Sequence, residues 1–150
     1  MRIVLQRVSS ASVTIEGNVH GKIGAGVLLL LGVAPDDKAE DGAWLAQKVA
    51  KLRIFPDDAG QMNRSIVDIG GGALVVSQFT LFASTRKGTR PSFNGAASPD
   101  LAVTLYNDFI RQLEILLDRP VASGQFGAMM QVALVNDGPV TITIDTKARE

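Results

Sequence analysis

The chain has no cysteine, and only one histidine, one tryptophan and one tyrosine among its 150 residues. Without cysteine there is no disulfide, no thiolate nucleophile and no cysteine–zinc site, and a reducing compartment is the natural setting. Net charge is missing as well, fifteen Lys and Arg balancing fifteen Asp and Glu. That excludes a uniformly basic nucleic-acid coat but leaves room for a local basic patch. Long apolar runs are also lacking. The longest, "GVLLLLGVA" at 26–34, is far below the ~20 residues a membrane helix needs, and "MRIVLQRVSS" has too short an apolar stretch for a signal peptide. The expectation is a cytoplasmic protein with no membrane contact.

What is present suits one globular core: 46% hydrophobic and 20% charged residues over a length typical of one domain. Segments 2–8 and 12–16 are strand-like, the second alternating Val13 and Ile15 with Ser12, Thr14 and Glu16. "EGNVHGK" supplies turn residues, and "VLLLLGV" at 27–33 reads as a strand buried on both faces. "PDDKAEDGAWLAQKVAKL" predicts a helix with Asp36 or Asp37 as N-cap and Leu45, Val49 and Leu52 on one stripe. A β-prone run covers 73–82, and a polar stretch at 83–99 is long enough to suggest function. Ser98 and Pro99 open a second helix, whose buried face carries Leu101, Leu105, Phe109, Leu113 and Leu116.

The last two strands are expected at 129–135 and 140–145, with Asn136-Asp137-Gly138-Pro139 between them. Asp-Gly between β-branched runs signals a hairpin. Proline directly after it is awkward, because it removes a ladder N–H where the next strand should start. The whole pattern predicts an α+β fold, one domain spanning 1–150. It has a mostly antiparallel sheet or partly closed β-barrel with two main helices packed on it.

The catalytic inventory is thin. His20 lies between two glycines and reads as a solvated turn residue rather than a general base, which would need a placed partner. With one histidine, no cysteine and scattered carboxylates, neither metal nor cofactor is expected. The glycine-rich "IGAGVLLLLG" and "GGGALVV" lead into strands rather than helices, so neither is a phosphate loop. "SQFTL" remains: Ser77, Gln78 and Thr80 are polar groups on an apolar strand. Simple alternation explains them. A strand end offering backbone N–H groups to a developing oxyanion explains them too. A side-chain nucleophile is the weaker option, for no activating base is visible. Arg86, Lys87 and Arg90 form either a solvated loop or a phosphate site that would position nucleic acid. Phe126 and Met130 are core residues by default, or a pair able to sandwich a base.

"VSQFTLF", "RPSF", "ASPD" and "MQVALVNDGPVT", with the opening "QRVSSASVTIEG", resemble D-aminoacyl-tRNA deacylases. The similarity runs in order from Met1 to about Ile144, with Ser-Gln-Phe-Thr and Asn-x-Gly-Pro in the family's register. The resemblance implies hydrolysis of the ester joining a D-amino acid, or mischarged glycine, to tRNA, a chiral proofreading step that spares L-aminoacyl-tRNA. It implies a metal-free homodimer whose active sites draw on both subunits. Ser77, Gln78, Phe79 and Thr80 then match the pocket motif that supplies backbone donors. Gly138 and Pro139 match a cis-peptide motif that reaches into the partner's pocket as a chirality gate, with Arg7 holding it. Phe126 and Met130 match the adenine grip, and the substrate's ribose 2′-OH is implied as a catalytic aid. Two other readings fit the same motifs: a tRNA-binding module without catalysis, and a structural dimer whose motifs only build the interface.

Overall fold

In the computed structural model, which describes Met1–Glu150, strand β1 (Arg2–Ile15) organises the chain because it pairs with three other strands. β2 (Asn18–Ile23), β3 (Gly26–Gly32) and β8 (Gln131–Asp145) all run antiparallel to it. β6 (Gly72–Ser77) continues the sheet parallel to β3, and β7 (Ala122–Ser123) parallel to β6. β2 also leans on β6 and β7, which nearly closes the sheet into a barrel. β4 (Phe55–Pro56) and β5 (Met62–Arg64) make a separate small hairpin. Helices α1 (Ala39–Lys51) and α3 (Pro99–Leu117) pack together on the sheet, and α2 (Ile66–Ile69) is a single turn. No helix is long and apolar enough to cross a membrane.

Burial follows from the strand period of two. In β3, Val27, Leu29 and Leu31 join the cluster beneath the helices, whereas Leu28 joins a second cluster inside the barrel. β6 divides likewise, Ala73 and Val75 from Leu74 and Val76. Both strands are buried on both faces, as "VLLLLGV" predicts. In β1, Ile3 and Leu5 face the helices. Val8, Ala11 and Val13 all face the barrel interior, although Val8 differs in parity from the other two. The pairing shifts between Val8 and Ser10, and that extra residue flips the strand's faces.

Several expectations are corrected. The segments 2–8 and 12–16 are one bulged strand. His20 is exposed within β2 rather than in a turn; Glu16 and Gly17, with φ of 50° and 78°, make the reversal instead. The N-cap of α1 is Lys38 rather than Asp36 or Asp37. The buried Asp37 carboxylate is otherwise engaged, accepting from the Ala34 N–H and from the Met1 ammonium, each at 2.6 Å. Ser98 does stand at the N-cap of α3 with Pro99 behind it, but its hydroxyl makes no capping bond. The β-prone run 73–82 stops as a strand at Ser77. The two strands expected at 129–135 and 140–145 are the single strand β8, so Asp137-Gly138 does not reverse the chain.

Candidate active site

β6 keeps its pairing with β3 to the last bond and then leaves the sheet. The Gln78 N–H donates 2.8 Å to the Leu31 carbonyl, closing the ladder with β3. Phe79–Phe82 then coil into a 3₁₀ turn, with the Leu81 N–H bonded to Gln78 O at 3.2 Å. The first N–H groups of a helical turn have no partner within it. Here those of Phe79 and Thr80 donate to no group of the chain. Both residues are exposed, and their two adjacent unpartnered donors lie just past a strand buried from Ala73 to Val76. The Gln78 amide donates to Thr80 Oγ1, which leaves the hydroxyl's own proton free to donate elsewhere. β6 is pinned just upstream by Tyr106, whose hydroxyl donates 3.0 Å to Val75 O. Burial, partly offset by a hydrogen bond with Ser123, pushes that phenol up to about 12. Tyr106 is a fixed donor, not an acid.

Asn136-Asp137-Gly138-Pro139 is a projection from the middle of β8. Gln6 pairs with Thr141 and Val8 with Asn136, so the single residue Arg7 stands opposite Asp137, Gly138, Pro139 and Val140. The Gly138–Pro139 peptide is cis and exposed. Asn136 clasps the neck: its Oδ1 accepts from the Val140 N–H at 2.7 Å, and its Nδ2 donates to Val140 O at 3.2 Å and to Thr141 Oγ1 at 3.2 Å. Arg7 holds the near side, Nε donating 2.7 Å to Asp137 O and Nη1 donating 2.7 Å to Ile54 O. Gly138 has φ of 150°, and a Cβ there would lie 2.8 Å from Val140 Cγ2 and 2.8 Å from Val140 N. Asn136, read from sequence as a turn residue, is the clasp that sequence reasoning missed. Its side chain must span four residues, and nothing in local composition announces that.

The loop carrying Arg86, Lys87 and Arg90 begins where the 3₁₀ turn ends. Ser84 and Ser92 exchange two backbone hydrogen bonds of 2.7 and 2.9 Å that pinch the loop shut. Phe93 then returns to Phe79, ring to ring at 5.0 Å and 69°. The three cations are exposed and enter no ion pair. Phe93 is a second residue that sequence reasoning gave no role. Phe126 and Met130 are both half-buried. The first packs on Tyr106 at 5.9 Å beneath the helices, the second on the barrel-interior cluster, so within one chain they do not form a sandwich.

The two motifs also stand apart within one chain. Arg2 Nη1 donates to Leu81 O in the 3₁₀ turn and Arg7 Nε to Asp137 O in the projection. Five residues of strand separate these arginines, roughly 16 Å at the usual rise per residue. The protein-family model described as D-Tyr-tRNA(Tyr) deacylase matches residues 4–145. The chain is 64% identical, over the full length of both, to a D-aminoacyl-tRNA deacylase of Opitutus terrae. Its fold is similar to a solved structure titled c-Myc DNA Unwinding Element Binding Protein, with TM-score 0.90 and 38% identity over 97% of this chain and 98% of that one. A probable eukaryotic D-amino acid tRNA deacylase shares the fold at TM-score 0.83 and 18% identity, over 95% of this chain and 97% of that one. The chain belongs to the D-Tyr-tRNA(Tyr) deacylase family and is a hydrolase of D-aminoacyl-tRNA.

Proposed function

We propose that the ester carbonyl of the substrate binds at the start of the Phe79–Phe82 turn, where the unpartnered N–H groups of Phe79 and Thr80 stabilise the oxyanion. This pair of free donors is the observation that carries the reading. Water adds to the carbonyl carbon, the bond to the ribose oxygen breaks, and that oxygen leaves with a proton as tRNA and free amino acid separate. An aminoacyl ester is already activated, so fixed dipoles at the developing charge supply most of what is needed. Ser77 ends the strand that positions the turn, Gln78 orients the Thr80 hydroxyl, and Thr80 donates to the substrate. The adjacent 2′-OH of the terminal ribose takes the place of a side-chain base.

Selection against L-aminoacyl-tRNA comes from a second copy of the chain. Gly138–Pro139 stands too far from its own Phe79–Phe82 turn to wall it. A two-fold dimer brings each projection to the other subunit's turn, an isologous arrangement. β8 suits such an interface: Val135 is 57% and Leu134 36% exposed beside the projection. The two carbonyls flanking the cis bond oppose an L-configured Cβ, and glycine, having none, passes. Hydrophobic fit alone gives only ~1–3 kcal/mol per methylene, so a repulsive wall is the effective filter. Arg7 braces that wall, the half-buried edges of Phe126 and Met130 receive the terminal adenine, and Arg86, Lys87 and Arg90 receive tRNA phosphates. With tRNA of the translation pool as substrate, the enzyme acts in the cytoplasm.

The test is deacylation of D-Tyr-tRNA, L-Tyr-tRNA and Gly-tRNA by the wild type and by Gly138→Ala. The wild type cleaves the first and third and spares the second. Gly138→Ala, whose Cβ displaces Val140, loses that discrimination. Equal D/L ratios in the two proteins would remove the projection from selectivity.

A further inference from the structure

The C-terminal half of α1 carries a cationic groove that neither motif accounts for. Trp44, Gln47, Lys48, Lys51, Leu52 and Arg53 line a surface cavity of about 420 Å³ with no carboxylate among them. Lys48, Lys51 and Arg53 enter none of the chain's ion pairs, in a protein of zero net charge. Trp44, Lys48 and Lys51 sit at i, i+4 and i+7, one face of the helix. Their span of roughly 10 Å matches about three successive phosphates of a nucleic-acid strand.

The groove's parts are held in place. Trp44 is stacked by the Arg149 guanidinium at 4.6 Å and approached by the Lys48 ammonium at 5.4 Å. Lys48 Nζ also reaches the main-chain oxygen of the last residue, Glu150, at 3.5 Å. Arg53 donates from Nε to Asn63 O at 3.1 Å and from Nη2 to Asn63 Oδ1 at 2.7 Å. Asn63 is fixed in turn by donating from Nδ2 to Asp57 Oδ2 at 2.7 Å.

Its position ties it to the site. Arg53 precedes Ile54, whose carbonyl accepts from the same Arg7 guanidinium that holds Asp137 in the projection. The groove is therefore linked to the projection through Ile54 and Arg7. We propose that it binds the phosphate backbone of the substrate's acceptor stem, positioning the tRNA while the 3′ end enters the pocket that the projection walls. This rests on the reading of the site given above. Charge complementarity identifies the occupant, because tRNA is the polyanion this enzyme must hold, and phosphate contacts position without reading sequence.

Binding of uncharged tRNA by the intact protein tests the groove without relying on catalysis. Lys48→Gln with Lys51→Gln should weaken binding about tenfold or more and lower the log–log salt slope by roughly one unit per lysine. Lys48→Arg with Lys51→Arg should keep both near wild type, which separates charge from fold. In turnover of D-Tyr-tRNA the loss should fall on KM rather than kcat. An unchanged affinity and salt slope in the glutamine pair would overturn the groove, as would equal losses in the glutamine and arginine pairs. Wild-type hydrolysis of D-tyrosyl-adenosine, which has no stem, is a separate arm. Failure there counts against the site at Phe79 and Thr80, while tRNA binding still decides the groove.

Discussion

Arg2 and Arg7 leave the same strand and each donates to a backbone carbonyl of a site segment, Leu81 O at 3.1 Å and Asp137 O at 2.7 Å. Their surroundings differ. The Arg7 side chain is 12% exposed and also bonded to Ile54 O, so truncating it leaves two carbonyls short of a donor. The Arg2 side chain is 46% exposed, lies 4.5 Å over the Phe82 ring and shares Asp145 at 2.7 Å. The turn at 79–82 has its own 3₁₀ hydrogen bonds and a strand behind it, and needs Arg2 little. The projection interrupts a strand, has only Asn136 as an internal clasp, and needs Arg7 much. One segment supplies donors from regular local structure; the other is imposed on the strand by side chains.

The largest expected effect separates backbone from side chain at the turn. Phe79 opens the turn and its N–H donates to nothing, so proline there removes a donor without breaking a bond of the fold. Phe79→Ala keeps that donor and loses only the ring that meets Phe93. Single-turnover rates should fall by ~10²–10³ in Phe79→Pro relative to Phe79→Ala, the usual cost of one oxyanion donor. Equal rates in the two variants would place the oxyanion elsewhere.

Next comes the brace of the projection. Arg7→Leu frees Asp137 and misplaces Gly138–Pro139, and a shift near 1 Å in a positioning element costs ~10²-fold. The variant should lose about that much kcat/KM on D-Tyr-tRNA. Its tRNA affinity, read separately, should stay within a few-fold. Activity within twofold of wild type would mean that Asn136 alone suffices to hold the projection.

The same contrast explains what could be read before folding. "VLLLLGV" and the stripe of Leu105, Phe109 and Leu113 were legible because burial repeats with the period of the element. The end of β6 at Ser77 was only partly legible. Residues 73–82 have uniform β propensity, and nothing in it marks where the chain leaves β3, after the Gln78 N–H to Leu31 O bond, to coil into the 3₁₀ turn. The projection misled local reasoning most. Asp-Gly is a hairpin signal when its flanking strands pair with each other, but here both flanks pair with β1, a partner some 130 residues away in the chain. Even so, the misfit of Pro139 to a turn was visible in the residues, and it pointed to the segment that does not turn.

The smallest effect should come from the exposed tether, and it carries a pH signature. Burial acts to raise the Asp145 carboxyl, but the hydrogen bond from Arg2, the Lys147 N–H and the Arg2 charge outweigh it and hold the group below its ordinary 3.8. A lowered carboxylate contributes stability that is fully present above its unfolded value and disappears as pH falls through the folded one. Exposed pairs of this type are worth ~0.2–1 kcal/mol. Arg2→Leu should therefore melt about 1–4 °C below wild type at neutral pH and lose less than about fivefold in kcat/KM. The two melting curves should draw together as pH falls below about 4, where the unfolded Asp145 begins to protonate, and meet once the folded carboxyl is protonated as well. A gap that persists undiminished at pH 3 would mean that Arg2 acts through the Phe82 ring and Leu81 O, not through Asp145. The turn would then depend on a side-chain brace much as the projection does, and the difference between the two segments would narrow to one of exposure.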